Sequence, residues 1–150
     1  MRLHLVLFAG LLAILAAGCG GSGGPKRLTH EELVTQGNAI CVTASGEIDK
    51  LGDPGSLADI ARIGKQLADI RDAETNKLAA LHVAKDDEAG QARLVSALRA
   101  RDKTLRDVVA AARKNDFQGA TEALGAGQKL GDKASNAALN IGLLRCAEGG

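Results

Sequence analysis

The chain has 150 residues, 19 of them basic and 18 acidic, and its only aromatic residues are Phe8 and Phe117. A nearly neutral chain without a basic cluster has no electrostatic reason to bind nucleic acid or a strongly acidic polymer. So few aromatic faces also exclude the stacking and cation–π sites on which sugars, quaternary ammonium groups and single-stranded nucleic acids rely.

At the N-terminus, Arg2, the apolar run Leu3 to Ala17 and the small residues up to Gly18 read as an export signal over residues 1–18. The run is about 15 residues, short of the roughly 20 that span a bilayer, so a permanent transmembrane anchor is not expected. Ala16 and Gly18 would also suit an ordinary secretion signal, and Cys19 in the first mature position carries the distinction. The order Leu15, Ala16, Ala17, Gly18, Cys19 resembles the lipid-attachment signal of bacterial lipoproteins, with Ala16 where leucine is usual and Leu15 one place earlier. That resemblance implies a lipid on Cys19 and a location on the extracytoplasmic face of the cell membrane. Loss of Arg2 would leave basic and acidic residues balanced at 18 each, with Phe117 the one remaining aromatic.

Residues 19–28 follow as a linker, mostly glycine with Ser22 and Pro25. As a random coil, such a segment holds a domain about 15 to 20 Å from its anchor. Residues 29–150 then read as one helical domain of a size that supports a single core.

Thr29 and Glu32 form a capping-box pattern, and Leu33, Gly37, Ile40, Cys41, Ala44, Ile48 and Leu51 recur at helical steps, which predicts a first helix from His30 to Leu51. Asp53, Pro54 and Gly55 break it, and Ser56 can cap a second helix running to about Val83, with Leu57, Ile60, Ile63, Leu67, Ile70, Leu78 and Leu81 on one stripe. The acidic run Asp86, Asp87, Glu88 suits the start of a third helix, which carries Leu94, Leu98, Leu105, Val108 and Ala112 and ends near Lys114. Asn115 and Asp116 can turn the chain and cap a fourth helix, continuing to Ile141.

Four helices with short connections predict an all-α, antiparallel up-and-down four-helix bundle. Register supports it. Leu81 with Leu94, Ile70 with Leu105, Leu67 with Val108 and Ile63 with Ala112 all face one another if helices 2 and 3 form a hairpin about Asp87 and Glu88. Helices 1 and 2 match through Ile48 with Ile60 and Ala44 with Gly64, and helices 3 and 4 through Leu105 with Gly127 and Leu98 with Ala134. Gly119, Gly125, Gly127 and Gly131 each cost about 1 kcal/mol of helix propensity relative to alanine, and close approach of helix 4 to helix 3 is the expected compensation. Without a preceding strand or a GKS or GxGxxG pattern, they do not read as a phosphate loop.

If Cys19 carries lipid, Cys41 and Cys146 remain as an even pair that an oxidising compartment can join. The registers, taken literally, leave a gap of roughly 10 Å even if Gly142 adopts a left-handed cap and turns the chain back, so helix 4 stops early, helix 1 is shifted, or the cysteines find other partners. The segment Leu28 to Leu33 leading to Asn38, Ala39, Ile40, Cys41, together with Asn140 to Cys146, is similar to small exported proteins and lipoproteins of actinobacteria. The resemblance implies a helical exported domain with a cysteine pair, and no activity.

Glu74 falls at the centre of the apolar stripe of helix 2, and its register partner on helix 3 is Arg101. An internal ion pair that fixes register is the structural expectation, and a charged pocket for a small polar ligand the functional one. No cofactor or metal is expected. A di-iron bundle needs Glu-x-x-His motifs to which neither His30 nor His82 belongs, and the cysteines lack zinc or haem spacing. No local pattern places a nucleophile beside a base. The sequence therefore reads as a non-enzymatic binding, scaffolding or envelope protein, in contact with the membrane through Cys19 and with a protein partner in the envelope. Its alternatives are a small-ligand sensor or carrier using the layer at Glu74 and Arg101, and an enzyme of unrecognised type.

Overall fold

Thr29 begins the folded chain with both bonds of a capping box: its Oγ1 accepts from the Glu32 N–H and the Glu32 carboxylate accepts from the Thr29 N–H. In the computed structural model, which describes residues 26–148, helix α1 runs His30–Asp49, α2 Leu57–Ala79, α3 Lys85–Arg113, α4 Phe117–Leu139 and the short α5 Leu144–Glu148. The expected export signal, the lipid-bearing Cys19 and the linker as far as residue 25 lie outside the described residues. No described helix is long and apolar enough to cross a membrane.

The four long helices pack as the expected antiparallel up-and-down bundle. Their ends follow local chemistry. Ser56 Oγ accepts from the Asp59 N–H, and Asp116 Oδ1 from the Gly119 N–H. α3 departs from this pattern, starting at Lys85 with no side-chain cap and with Asp86, Asp87 and Glu88 in its first turn. Asn115, at φ 56°, closes α3 by sending its N–H to Ala112 O and the Asp116 N–H to Ala111 O.

Three helices stop earlier than their periodicity suggests, α1 by two residues at Asp49 rather than Leu51. α2 ends at Ala79 rather than near Val83, because the chain there pairs with the segment before α1: the Leu28 N–H donates to His82 O at 2.7 Å and Arg27 Nη1 to Val83 O at 3.0 Å. Arg27 also forms an ion pair with Glu88. The last residues of the expected linker are thus docked on the α2–α3 turn and do not belong to a free tether. α4 ends at Leu139, where the Gly142 N–H bonds to Leu139 O and the Leu143 N–H to Ala138 O, with Gly142 at φ 75°. These paired bonds reverse the chain.

That reversal decides the last seam of the bundle. α3 lies between α2 and α4 and packs on both, whereas α1 packs on α2 and α5 and scarcely touches α4. The turn and α5 fill part of the space between α1 and α4. Ile141 lies against Gly90 of α3 and Leu143 against Gly37 of α1, where any Cβ would collide with them. Asn38 Oδ1 accepts from the Arg145 N–H at 2.9 Å, and Ser135 Oγ donates to Ala147 O at 3.0 Å. Cys41 and Cys146 form a disulfide with a Cα–Cα distance of 5.1 Å. The gap inferred from register disappears because α4 stops early and the chain after Gly142 climbs back toward Cys41. Cys41, Leu78, Leu94, Leu98, Ala138, Leu143 and Cys146 belong to one buried cluster.

The glycine expectations resolve differently at each position. A Cβ on Gly127 would lie 3.2 Å from Thr104 Oγ1, a close approach of α4 to α3, and Gly131 is buried. Gly119 instead leaves room for the Asp116 capping carboxylate, and Gly125 faces open space. Gly64 packs against Val109 of α3, where a Cβ would collide with the valine side chain.

Candidate functional site

The seam between α2 and α3 carries charge in its interior. Glu74 and Arg101 meet as the helical register predicts, with Arg101 Nη2 3.7 Å from Glu74 Oε2 and both side chains largely buried. They are half of a larger group. Arg71, one turn before Glu74, donates from Nη1 to Glu74 Oε2 at 3.0 Å. Arg101 donates through Nε and Nη2 to Asp102 Oδ1 at 3.3 and 3.2 Å, and Asp102 Oδ2 accepts from Thr75 Oγ1 at 2.7 Å. Asp102 is 1% exposed and Glu74 5%.

Two adjacent residues of α2, Glu74 and Thr75, therefore face two adjacent residues of α3, Arg101 and Asp102. Neighbours on a helix project about 100° apart, so both can reach a seam that bisects them. Sequence reasoning placed Glu74 and Arg101 together but missed Arg71, Thr75 and Asp102. The available signal was adjacency: Asp102 follows the register cation, and Arg71 stands three residues before the register anion.

Two guanidinium groups and two carboxylates nearly balance, as buried charges must. Burial pushes the Arg101 guanidinium below its usual range and the nearby Arg71 cation adds to that effect, while Asp102 and Glu74 oppose it. The arrangement also has a direction. Arg71 and Arg101 reach the wall of a cleft of about 410 Å³, while Glu74 and Asp102 are not among its lining residues.

The cleft lies along the part of the α1–α4 seam that α5 does not fill. Its walls are Ile48 from the end of α1, Leu67 from α2, Leu105 and Val108 from α3, and Ala123 and Leu124 from α4. Thr104, Gln128 and Asp132 add polar groups, and Gly127 and Gly131 keep the α4 wall low. Apolar lining with a few convergent polar groups, at this volume, is the form of a small-molecule site.

The other sequence candidates fall elsewhere. Cys41 and Cys146 are the disulfide, buried where it joins α1 to α5, and Cys19 is outside the described residues. His30 lies exposed at the start of α1 with Nδ1 2.9 Å from Asp87 Oδ1, and His82 is exposed in the α2–α3 turn. Among the described residues, no group of three or more His, Cys, Asp and Glu side chains is placed to hold a metal ion. The segments that hold Asn38 to Cys41 and Asn140 to Cys146 meet through Asn38 with Arg145 and Cys41 with Cys146. Comparison of the chain with protein-family models, curated proteins and solved structures finds no match.

Proposed function

We propose that this is an exported protein, held on the extracytoplasmic face of the cell membrane by a lipid on Cys19, that binds a small ligand without transforming it, as a carrier or sensor. The observation that carries the binding role is the cleft beside Arg71 and Arg101, whose lining is hydrocarbon and guanidinium. Such surfaces desolvate and orient a ligand. The pair Cys41–Cys146 agrees with an oxidising compartment, where a disulfide persists. Arg27 and Leu28 dock at the α2–α3 turn, so a lipid tether joins the domain at that end and leaves the cleft toward the opposite half of the bundle.

Native mass spectrometry of the full chain, released gently from its own membrane, tests the binding role. A reproducible small-molecule adduct lost on Ala123→Leu is expected, and its absence from every preparation would count against the reading. The anchor has a separate test. Cys19→Ala moves the protein from the membrane fraction to the soluble fraction, and unchanged sedimentation with the membrane overturns the lipid assignment.

A second reading, a scaffold for an envelope protein, is favoured by one observation. Phe117, the single aromatic among the described residues, is 72% exposed, and Leu124, two turns along the same face of α4, is 47% exposed. Loss of a co-purifying protein on Phe117→Ser, with the ligand adduct unchanged, would favour the scaffold.

A further inference from the structure

We infer that the cleft takes a single-chain aliphatic amphiphile with an anionic head, a carboxylate or a phosphate ester, the chain lying along the apolar walls and the head meeting Arg71 and Arg101. The inference deepens the ligand-binding reading and rests on it.

The chemistry of the walls selects the body of the ligand. Ile48, Leu67, Leu105, Val108 and Leu124 are branched aliphatic side chains with no aromatic among them. They offer area to hydrocarbon and no face on which a planar ring could stack. A volume of about 410 Å³ lies within the range of small-ligand pockets and suits a medium-length alkyl chain with its head.

Orientation of charge selects the head. The arginine side chains are 16% and 12% exposed for Arg71 and Arg101, so an anion reaching them leaves bulk water and meets them at low effective dielectric. Glu74 and Asp102, which pair with them in the buried layer, are not among the lining residues of the cleft. Arg101 uses Nε and Nη2 on Asp102, and among the described residues its Nη1 has no hydrogen-bond acceptor. A guanidinium fork with unused N–H groups is suited to a carboxylate or phosphate. Arg71 and Arg101 also repel each other, which an anion bound beside both would relieve. Asp132 is the one acidic lining residue and is exposed on α4, so it disfavours an anionic head at the rim and leaves the arginine end for it.

Calorimetric titration of the full chain with dodecanoate, dodecyl phosphate, dodecanol and dodecyltrimethylammonium, each below its aggregation concentration, reads both parts of the inference. Dodecanoate and dodecyl phosphate are expected to bind at least about tenfold more tightly than dodecanol, and dodecyltrimethylammonium more weakly still. The better of the two anions identifies the head group. Acetate and inorganic phosphate, the same heads without a chain, are expected not to compete at equal concentration. Arg71→Gln should remove the preference for the anion. Because changes in the buried layer can unfold the protein, Ala123→Leu provides a second arm that narrows the cleft without touching the arginines, and it should weaken dodecanoate binding about tenfold while the helical circular dichroism is retained. Dodecanol binding as tightly as dodecanoate overturns the head-group assignment while leaving a binding cleft. Equal competition by acetate overturns the chain assignment, and undiminished binding to folded Ala123→Leu moves the site elsewhere. No binding by any of the four amphiphiles overturns the inference, with the adduct measurement above still able to reveal a ligand of another class.

Discussion

The seam between α2 and α3 and the seam between α1 and α4 join the same kind of helix by different means. At the first, side chains of adjacent helices meet directly, from Gly64 against Val109 to the interlocked charges of Glu74, Thr75, Arg101 and Asp102. At the second, α1 and α4 scarcely touch, and the space between them is partly filled by Ile141, Leu143 and α5 and crossed by the Cys41–Cys146 disulfide. A directly packed seam leaves no room for a ligand. Where the filler stops, the second seam stays open, and there the cleft forms. The bundle thus gains a site by leaving one contact unfinished, and the covalent link compensates for the missing helix–helix area.

The largest expected effect comes from removing that link. Replacing Cys41 and Cys146 by serine opens a loop whose closure is worth about 5 kcal/mol in the chain-entropy model. Urea unfolding should show the loss, and amide exchange should rise first in α1 and α5 while α2 and α3 keep their protection. Equal loss of protection in all helices would break the contrast between the seams. Next, Asp102→Ala should cost about 3 kcal/mol, since it leaves the Thr75 hydroxyl without its acceptor and Arg101 with the longer 3.7 Å contact to Glu74 in place of two hydrogen bonds. Asp102→Asn, which keeps an acceptor, should lose less. If both variants unfold at the same urea concentration as the parent, the α2–α3 seam does not depend on its charges.

Smaller effects test the turn and the cap. Gly142→Ala forces a side chain into the left-handed region and places its Cβ 3.1 Å from Val34 Cγ2, at a cost of about 1 to 2 kcal/mol readable as a lower Tm. Thr29→Ala should cost about 1 kcal/mol through the lost cap. The smallest effect is on pH. The Thr29 N–H bond, with Lys26 near by, holds the Glu32 carboxyl below its ordinary value of 4.5. A lowered acid contributes stability above its unfolded value and loses it as pH falls through the folded value, so acidification below 4.5 should weaken α1. Glu32→Gln should flatten that part of the stability profile, and an unchanged profile would remove Glu32 from the account.

Much of this was legible in the chain because it depends on neighbours in sequence. Thr29, Ser56 and Asp116 cap helices through groups three residues away, and Gly142 and Asn115 announce reversals because they tolerate positive φ. Glu74 and Arg101 were found by register alone, a property of rigid helices joined by a short turn. Asp102 was not, since an aspartate on a long helix ordinarily faces water, and only the angle of the α2–α3 seam turns it inward. Leu28 beside Val83 was equally hidden, because that pairing depends on where two distant segments come to lie.

By itself, then, the sequence determined the helices, their order, their caps and the pair of cysteines able to meet, through periodicity and local hydrogen bonding. Only the tertiary structure decided that α4 stops at Leu139, that α5 separates α1 from α4, and that Arg71 and Arg101 line a cleft that Glu74 and Asp102 do not. The physical reason is range. A helix is specified by bonds four residues apart, whereas a cleft is the space left when helices far apart in sequence compete for the same core.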